Sequence, residues 1–188
     1  MFALRFAPIL LLATSFVSAI PAPAGADVEK RSSTADVVSV FNTLKGSTDS
    51  ILPQINSLVS SGTASDATVT PLISQLTTAF NTAQASLGQL SPVESRKRQS
   101  DEDVAVLVAG IITDTTESLN GLKGRAPHIP ALPGLIVQID IALQELLIGL
   151  NVILAGVLTL VGGLLVGVAG LLNSLGLGLV LLLLGLGL

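Results

Sequence analysis

The 188-residue chain has no cysteine, tryptophan or tyrosine and a single histidine, His128. Without cysteine a secreted chain has no disulfide framework. One histidine, set among the prolines around position 130, builds no multi-histidine metal site and gives no footing to a histidine-based catalytic dyad. Nine basic residues against thirteen acidic ones leave a net charge of −4, so nucleic-acid binding has no electrostatic support. None of the six asparagines has Ser or Thr two positions on, which excludes N-linked glycosylation. Asp101, Glu102 and Asp103 are consecutive and point in different directions from a helix start, where they read better as capping charges than as a cation site. With five aromatics and a mean hydropathy of +0.77, the composition is unusual for a globular enzyme. The sequence predicts no catalytic residue, no cofactor and no metal.

What the chain does have is an apolar block. Its last 54 residues, 135–188, hold no Lys or Arg and only two charges, Asp140 and Glu145. Gly149, Gly156, Gly163 and Gly170 recur every seven residues, with Ala155, Gly162 and Ala169 one position earlier, and Gly163 and Gly167 form a GxxxG. Positions seven apart lie on nearly one helix face, so the two rows make a smooth stripe suited to close helix packing; in a segment so rich in Leu and Gly, compositional coincidence is the competing reading. One straight helix of this length would reach roughly 80 Å, far past the ~30 Å apolar core of a bilayer. Breaks are expected near Asn151 and at Asn173-Ser174, leaving pieces at 135–150, 152–172 and 175–188. Only the middle piece has an unambiguous spanning length.

In chain order, residues 1–19 read as a signal peptide, with Arg5 as the positive region, an apolar core from Phe6 to Val17, and a small-residue cut after Ala19. Residues 20–31 read as a propeptide ending at the dibasic pair Lys30-Arg31, the alternative being an exposed charged turn. Arg96-Lys97-Arg98 forms a second candidate processing site. Between them, Val37, Phe41, Leu44, Thr48, Ile51, Ile55 and Leu58 alternate at spacings of four and three. Val69, Ile73, Leu76, Phe80, Ala83, Leu87 and Leu90 repeat the pattern, and Val104, Val108, Ile111, Thr115 and Leu119 follow it again. Such spacing predicts three helices with narrow apolar seams that bury one another in a small bundle across 32–122. Asp66 is the expected cap of the second helix. Pro53, in mid-seam, is expected to kink or split the first, and Pro71 to begin the second. Residues 123–134, with Pro127, Pro130 and Pro133, form a Pro/Gly linker before the apolar half at 135–188.

The stretches VVSVFNTLKGSTDSILPQINSLV and LISQLTTAFNTAQASL resemble fungal hydrophobic surface-binding protein A domains. The whole layout, a hydrophilic N-terminal half and a hydrophobic C-terminal half without cysteine, is similar to the small secreted structural cell-wall protein of Schizophyllum-type mushrooms; the lack of cysteine sets it apart from eight-cysteine hydrophobins. The resemblance implies a cell-wall or matrix protein that supports hyphal attachment and aerial growth. The expectation is therefore an all-α chain, an amphipathic helical bundle followed by Leu/Gly-rich helices, secreted to the extracellular space or wall. Its partners would be hydrophobic surfaces or the air-water interface, with self-association through the stripe. The alternative is an integral membrane protein with one to three C-terminal spans in lipid.

Overall fold

A computed structural model describes residues 32–93, 98–125 and 129–186, with the side chains of 98–100 excepted. The chain is all-α, and no strand occurs among the described residues. The order is α1 (Thr34–Ser61), α2 (Asp66–Leu87), α3 (Arg98–Arg125), α4 (Leu132–Ile153), α5 (Val157–Leu165), a 3-10 turn (Val166–Val168), α6 (Ala169–Leu175) and α7 (Gly178–Leu183). The expected signal peptide and propeptide, with Lys30 and Arg31, lie outside the described residues, as do Arg96, Lys97 and His128. Arg98 is the first residue of α3.

The seams of α1 and α2 are buried as their spacing predicts. Val37, Phe41, Leu44, Thr48, Ile51 and Ile55 are inside, as are Val69, Ile73, Leu76, Phe80, Ala83 and Leu87, while Leu58 and Leu90 are only half-buried. Leu52 and Leu72 widen each seam by one position. Phe41 and Phe80, the two aromatics beyond residue 31, are both fully buried. A capping box of Ser33 and Asp36 starts α1: the Asp36 carboxylate accepts from the Ser33 N–H at 2.8 Å. Gly62 ends it at φ +68, and the Thr63 N–H donates back to the Leu58 carbonyl at 3.1 Å, a six-to-one closure that requires the left-handed residue.

Several local expectations are corrected. Pro53 does not split α1; it lies exposed within one continuous helix, and the Gln54 side chain donates to the Ser50 carbonyl at 2.9 Å beside it. Burial of the seam on both sides of Pro53 outweighs the lost backbone bond. Pro71 sits inside α2 rather than at its start. Ser65, not Asp66, occupies the cap of α2, with its N–H on Thr68 Oγ1 at 2.9 Å. Asp66 instead accepts from the Ala131 N–H at 3.3 Å, which ties the start of α4 to the start of α2. Helix also enters both ends of the Pro/Gly stretch: α3 runs through Gly121 and Gly124 to Arg125, and α4 takes Pro133 into its first turn, where its missing N–H costs nothing. Asn151 does not end a helix, since α4 runs on to Ile153; the break falls at residues 154–156, where Gly156 takes φ +89 and its N–H donates to Asn151 Oδ1 at 3.4 Å. The second break comes at Gly176, φ +88, rather than at Asn173-Ser174.

Consecutive long helices run antiparallel, and the apolar helices pack on the polar ones. α4 lies along α2, and the two run parallel: Asp66 meets Ala131 at their starts, and the N–H of Val93, six residues past the end of α2, donates to the Ile153 carbonyl at the end of α4 at 2.9 Å. α5 and α6 lie along α3. Lys123 at the end of α3 donates to the Ser174 carbonyl at the end of α6. This second neighbour explains a feature of α3 that a single seam does not. Besides Val104, Val108, Ile111, Thr115 and Leu119, it buries Ala105, Ala109, Ile112 and Thr116, so two adjoining rows serve α1 on one side and α5 with α6 on the other. All these residues belong to one continuous hydrophobic core that also takes in Leu143, Leu150, Val161, Leu165 and Leu172.

Two polar details of this core are testable. Thr116 is fully buried and donates to the Ile112 carbonyl at 2.7 Å, whereas Thr115 is fully buried with no partner for its hydroxyl. Thr115→Val keeps the volume and removes an unpaid desolvation, so it should stabilise the fold by about 1 kcal/mol in urea unfolding; a loss of similar size would contradict this. Lys45 bridges α1 to α3, 2.9 Å from Asp49 and 3.7 Å from Asp114, and its hydrogen bond to Asp49 raises its pKa above the usual 10.5. Its contribution is fully present below pH 10.5 and lost as pH rises through the higher folded value. Because the side chain is 40% exposed, Lys45→Met should cost under about 1 kcal/mol at neutral pH, less in high salt, with the difference vanishing in strong alkali.

Candidate apolar interface

The described residues hold no cluster of three His, Cys, Asp or Glu able to share a metal ion. The feature that stands out is the distribution of large apolar side chains on the surface. Ten are exposed among the described residues, and nine of them belong to the apolar half: Val137, Ile141, Ile148, Val152, Leu160, Leu164, Val166, Leu179 and Leu182. The tenth, Val106 on α3, lines a groove of about 410 Å³ with Glu102, Ala105, Thr159, Leu160, Gly163 and Leu164.

The exposed face of α4 is ordered by its spacing. Val137, Ile141, Ile148 and Val152 fall within about 60° of arc at 100° per residue, over about 22 Å of axis, with Gln144 and Glu145 flanking them. The opposite face, including Leu135, Ile139, Leu143, Leu146 and Leu150, is buried. α4 is thus apolar on two sides, one turned to the protein and one to water. By contrast, α1 and α2 cover their outer faces with hydroxyls. Thr43, Ser47, Thr78, Thr82 and Ser86 each donate to the carbonyl four residues earlier, at 2.8–3.2 Å. Their oxygens keep lone pairs for water, and the surface there is neutral and hydrophilic.

The predicted glycine stripe is divided by the structure. Gly149 is half-buried, and Ala155, Gly156, Gly163, Gly167 and Gly170 are exposed. No atom would meet a Cβ at Gly149, Gly163, Gly167 or Gly170 within 4 Å. Gly162 and Ala169 are buried, and a Cβ at Gly162 would stand 2.7 Å from the Leu184 carbonyl oxygen. Only the earlier row therefore makes a close intramolecular approach, at Gly162. The GxxxG pair faces outward.

Sequence reasoning marked Asp140 as one of two charges in the apolar block but missed its partner. It is 5% exposed, and its carboxylate accepts from the Leu179 N–H at 3.0 Å and the Val180 N–H at 3.1 Å, the opening amides of α7. A lone carboxylate in an apolar run signals a buried partner, but nothing in the sequence says that the partner is backbone 39 residues away.

No family model matches the chain. Fruiting body differentiation protein 16 of Flammulina velutipes, a basidiomycete, is 51% identical over 88 residues, spanning 45% of this chain and 69% of that protein. The chain belongs to the family of that protein.

The two glycine neighbours on α5 give a direct test of the divided stripe. Gly162→Ala forces a methyl against backbone and should destabilise by about 1–3 kcal/mol. Gly163→Ala meets open space in a helix interior and should be neutral or stabilising by up to about 1 kcal/mol. Equal effects of the two substitutions on the thermal midpoint would refute the assignment.

Proposed function

We propose that this protein is a non-enzymatic, secreted structural component of the fungal cell wall or matrix, used during fruiting body development, that adsorbs to hydrophobic surfaces or the air-water interface through its apolar half. The observation that carries this reading is the asymmetry of the surface: nine of ten exposed large apolar side chains lie at or beyond Val137, while α1 and α2 present hydroxyls. Kinship with a protein named for fruiting body differentiation supports the developmental context. The chemistry suffices. Contact worth roughly 25 cal/mol per Å² makes a few hundred Å² of apolar surface favour adsorption by several kcal/mol. Hyphal attachment and aerial growth are the tasks such a coat would serve. Self-association follows when apolar faces of neighbouring adsorbed molecules meet.

A second reading places the apolar half in a membrane. It is favoured by two segments long and apolar enough to cross one, Leu132–Ile153 and Val157–Leu175, of which half and one third respectively are buried inside the protein. Recovery from washed membranes at alkaline pH, with none in the medium or wall, would establish that reading and end the adsorption mechanism.

The adsorption reading is tested by replacing Val137, Ile141, Ile148 and Val152 together with Gln. These side chains are 41–63% exposed on the outer face of α4, so helicity should hold and the unfolding midpoint should move little. Affinity for methylated silica should fall by about 3 kcal/mol, roughly a hundredfold. Unaltered binding by the fourfold variant would sink the reading.

A further inference from the structure

α7 is six residues long, too short to hold a helix by itself, and it carries no charge. Two left-handed glycines bracket it, Gly176 at φ +88 and Gly185 at φ +67, positions where backbone direction changes without strain only because no Cβ is present. It packs on α4 and α6. Its inner side chains Val180 and Leu181, with Leu177 and Leu184 at its ends, are buried, whereas Leu179 and Leu182 face water, Leu182 at 78% exposure. Two contacts hold it at opposite ends. At its start the Asp140 carboxylate takes the Leu179 and Val180 amides, and among the described residues no other side chain bonds to α7. At its end the Leu184 carbonyl lies over Gly162 of α5, close enough that a methyl there would not fit. The segment is therefore tied to α4 by one buried carboxylate and closes over α5 at one glycine.

We infer that α7 is a latched lid whose release regulates adsorption. Closed, it keeps Leu177, Val180, Leu181 and Leu184 out of water. Opening in water exposes those side chains and strips the Asp140 carboxylate of its two amides, so the closed state holds. An apolar phase touching Leu179 and Leu182 changes the balance, because it accepts the inner side chains and the surface they covered. The phase thus binds the open state better than the closed one, which is the differential affinity that a population shift needs. The inference rests on the adsorption reading and specifies how the adsorbing surface is controlled.

The test uses the whole protein with Asp140→Ala, Asp140→Asn and, independently, Gly162→Ala. Two readouts are taken, amide hydrogen exchange in solution and the rate of adsorption to methylated silica. Asp140→Ala should speed exchange of amides 178–186 tenfold or more while those of α1 and α2 hold, and should speed adsorption severalfold. Asp140→Asn, which keeps one acceptor, should fall between. Gly162→Ala should reproduce both effects from the other end of the lid. Unchanged exchange in 178–186 for both alanine variants overturns the latch, and so does faster exchange with wild-type adsorption; in either case adsorption by the wild type leaves the broader reading standing. If the wild type fails to adsorb but Asp140→Ala does, the lid is upheld and adsorption through the closed surface is refuted. Failure of every form to adsorb overturns both.

Discussion

An apolar block of 54 residues with two charges must find cover, and the packing of α4 against α2 and of α5 and α6 against α3 is how this chain provides it. Each of those polar-half helices has to offer more than one apolar face. α2 carries the widening residue Leu72, and α3 carries a complete second row from Ala105 to Thr116. Ala105 of that row lines a groove with Thr159, Leu160, Gly163 and Leu164 of α5. The hydroxyl-rich outer faces of α1 and α2 then keep the assembly compatible with water. Burial of one half by the other thus determines the shape of both.

The cover is incomplete, and its gaps are ordered rather than scattered. α4 shows a narrow aliphatic stripe, α5 contributes Leu160 and Leu164 beside Val106, and α7 turns Leu179 and Leu182 outward. Isolated exposed aliphatics are ordinary on soluble proteins, but rows of them along one half are the kind of surface that binds an apolar phase. Three polar side chains within that half have structural work. Asp140 caps α7, Asn151 meets Gly156 at a helix break, and the Ser174 hydroxyl donates to the Leu171 carbonyl.

Much of the frame was legible in the order of residues. The four-three alternation of Val37 to Ile55 and of Val69 to Leu87 reports burial because side chains at that spacing share one helix face. The second row of α3 was equally visible as Ala105, Ala109, Ile112 and Thr116, yet alanines at seam spacing look like helix filler until a partner is known. What could not be read were relations between distant segments. Asp66 looks like a cap because its neighbours are local, but its bond is to Ala131; Asp140 finds amides 39 and 40 residues on. Likewise the seven-residue recurrence of glycines could not separate Gly162, pressed against Leu184, from Gly163 in open space. Pro53 does not split its helix because proline's cost is local while the seam that overrides it spans the helix.

The central claim is that one core unites the two halves. Its most direct test is amide exchange across α2 and α4 of the intact protein in increasing urea. The packing described here predicts that the most protected amides of both helices merge into one unfolding transition with a single free energy. Amides of α4 that exchange through a separate, much less stable opening while α2 stays protected would show that the halves do not share a core, and would contradict the account.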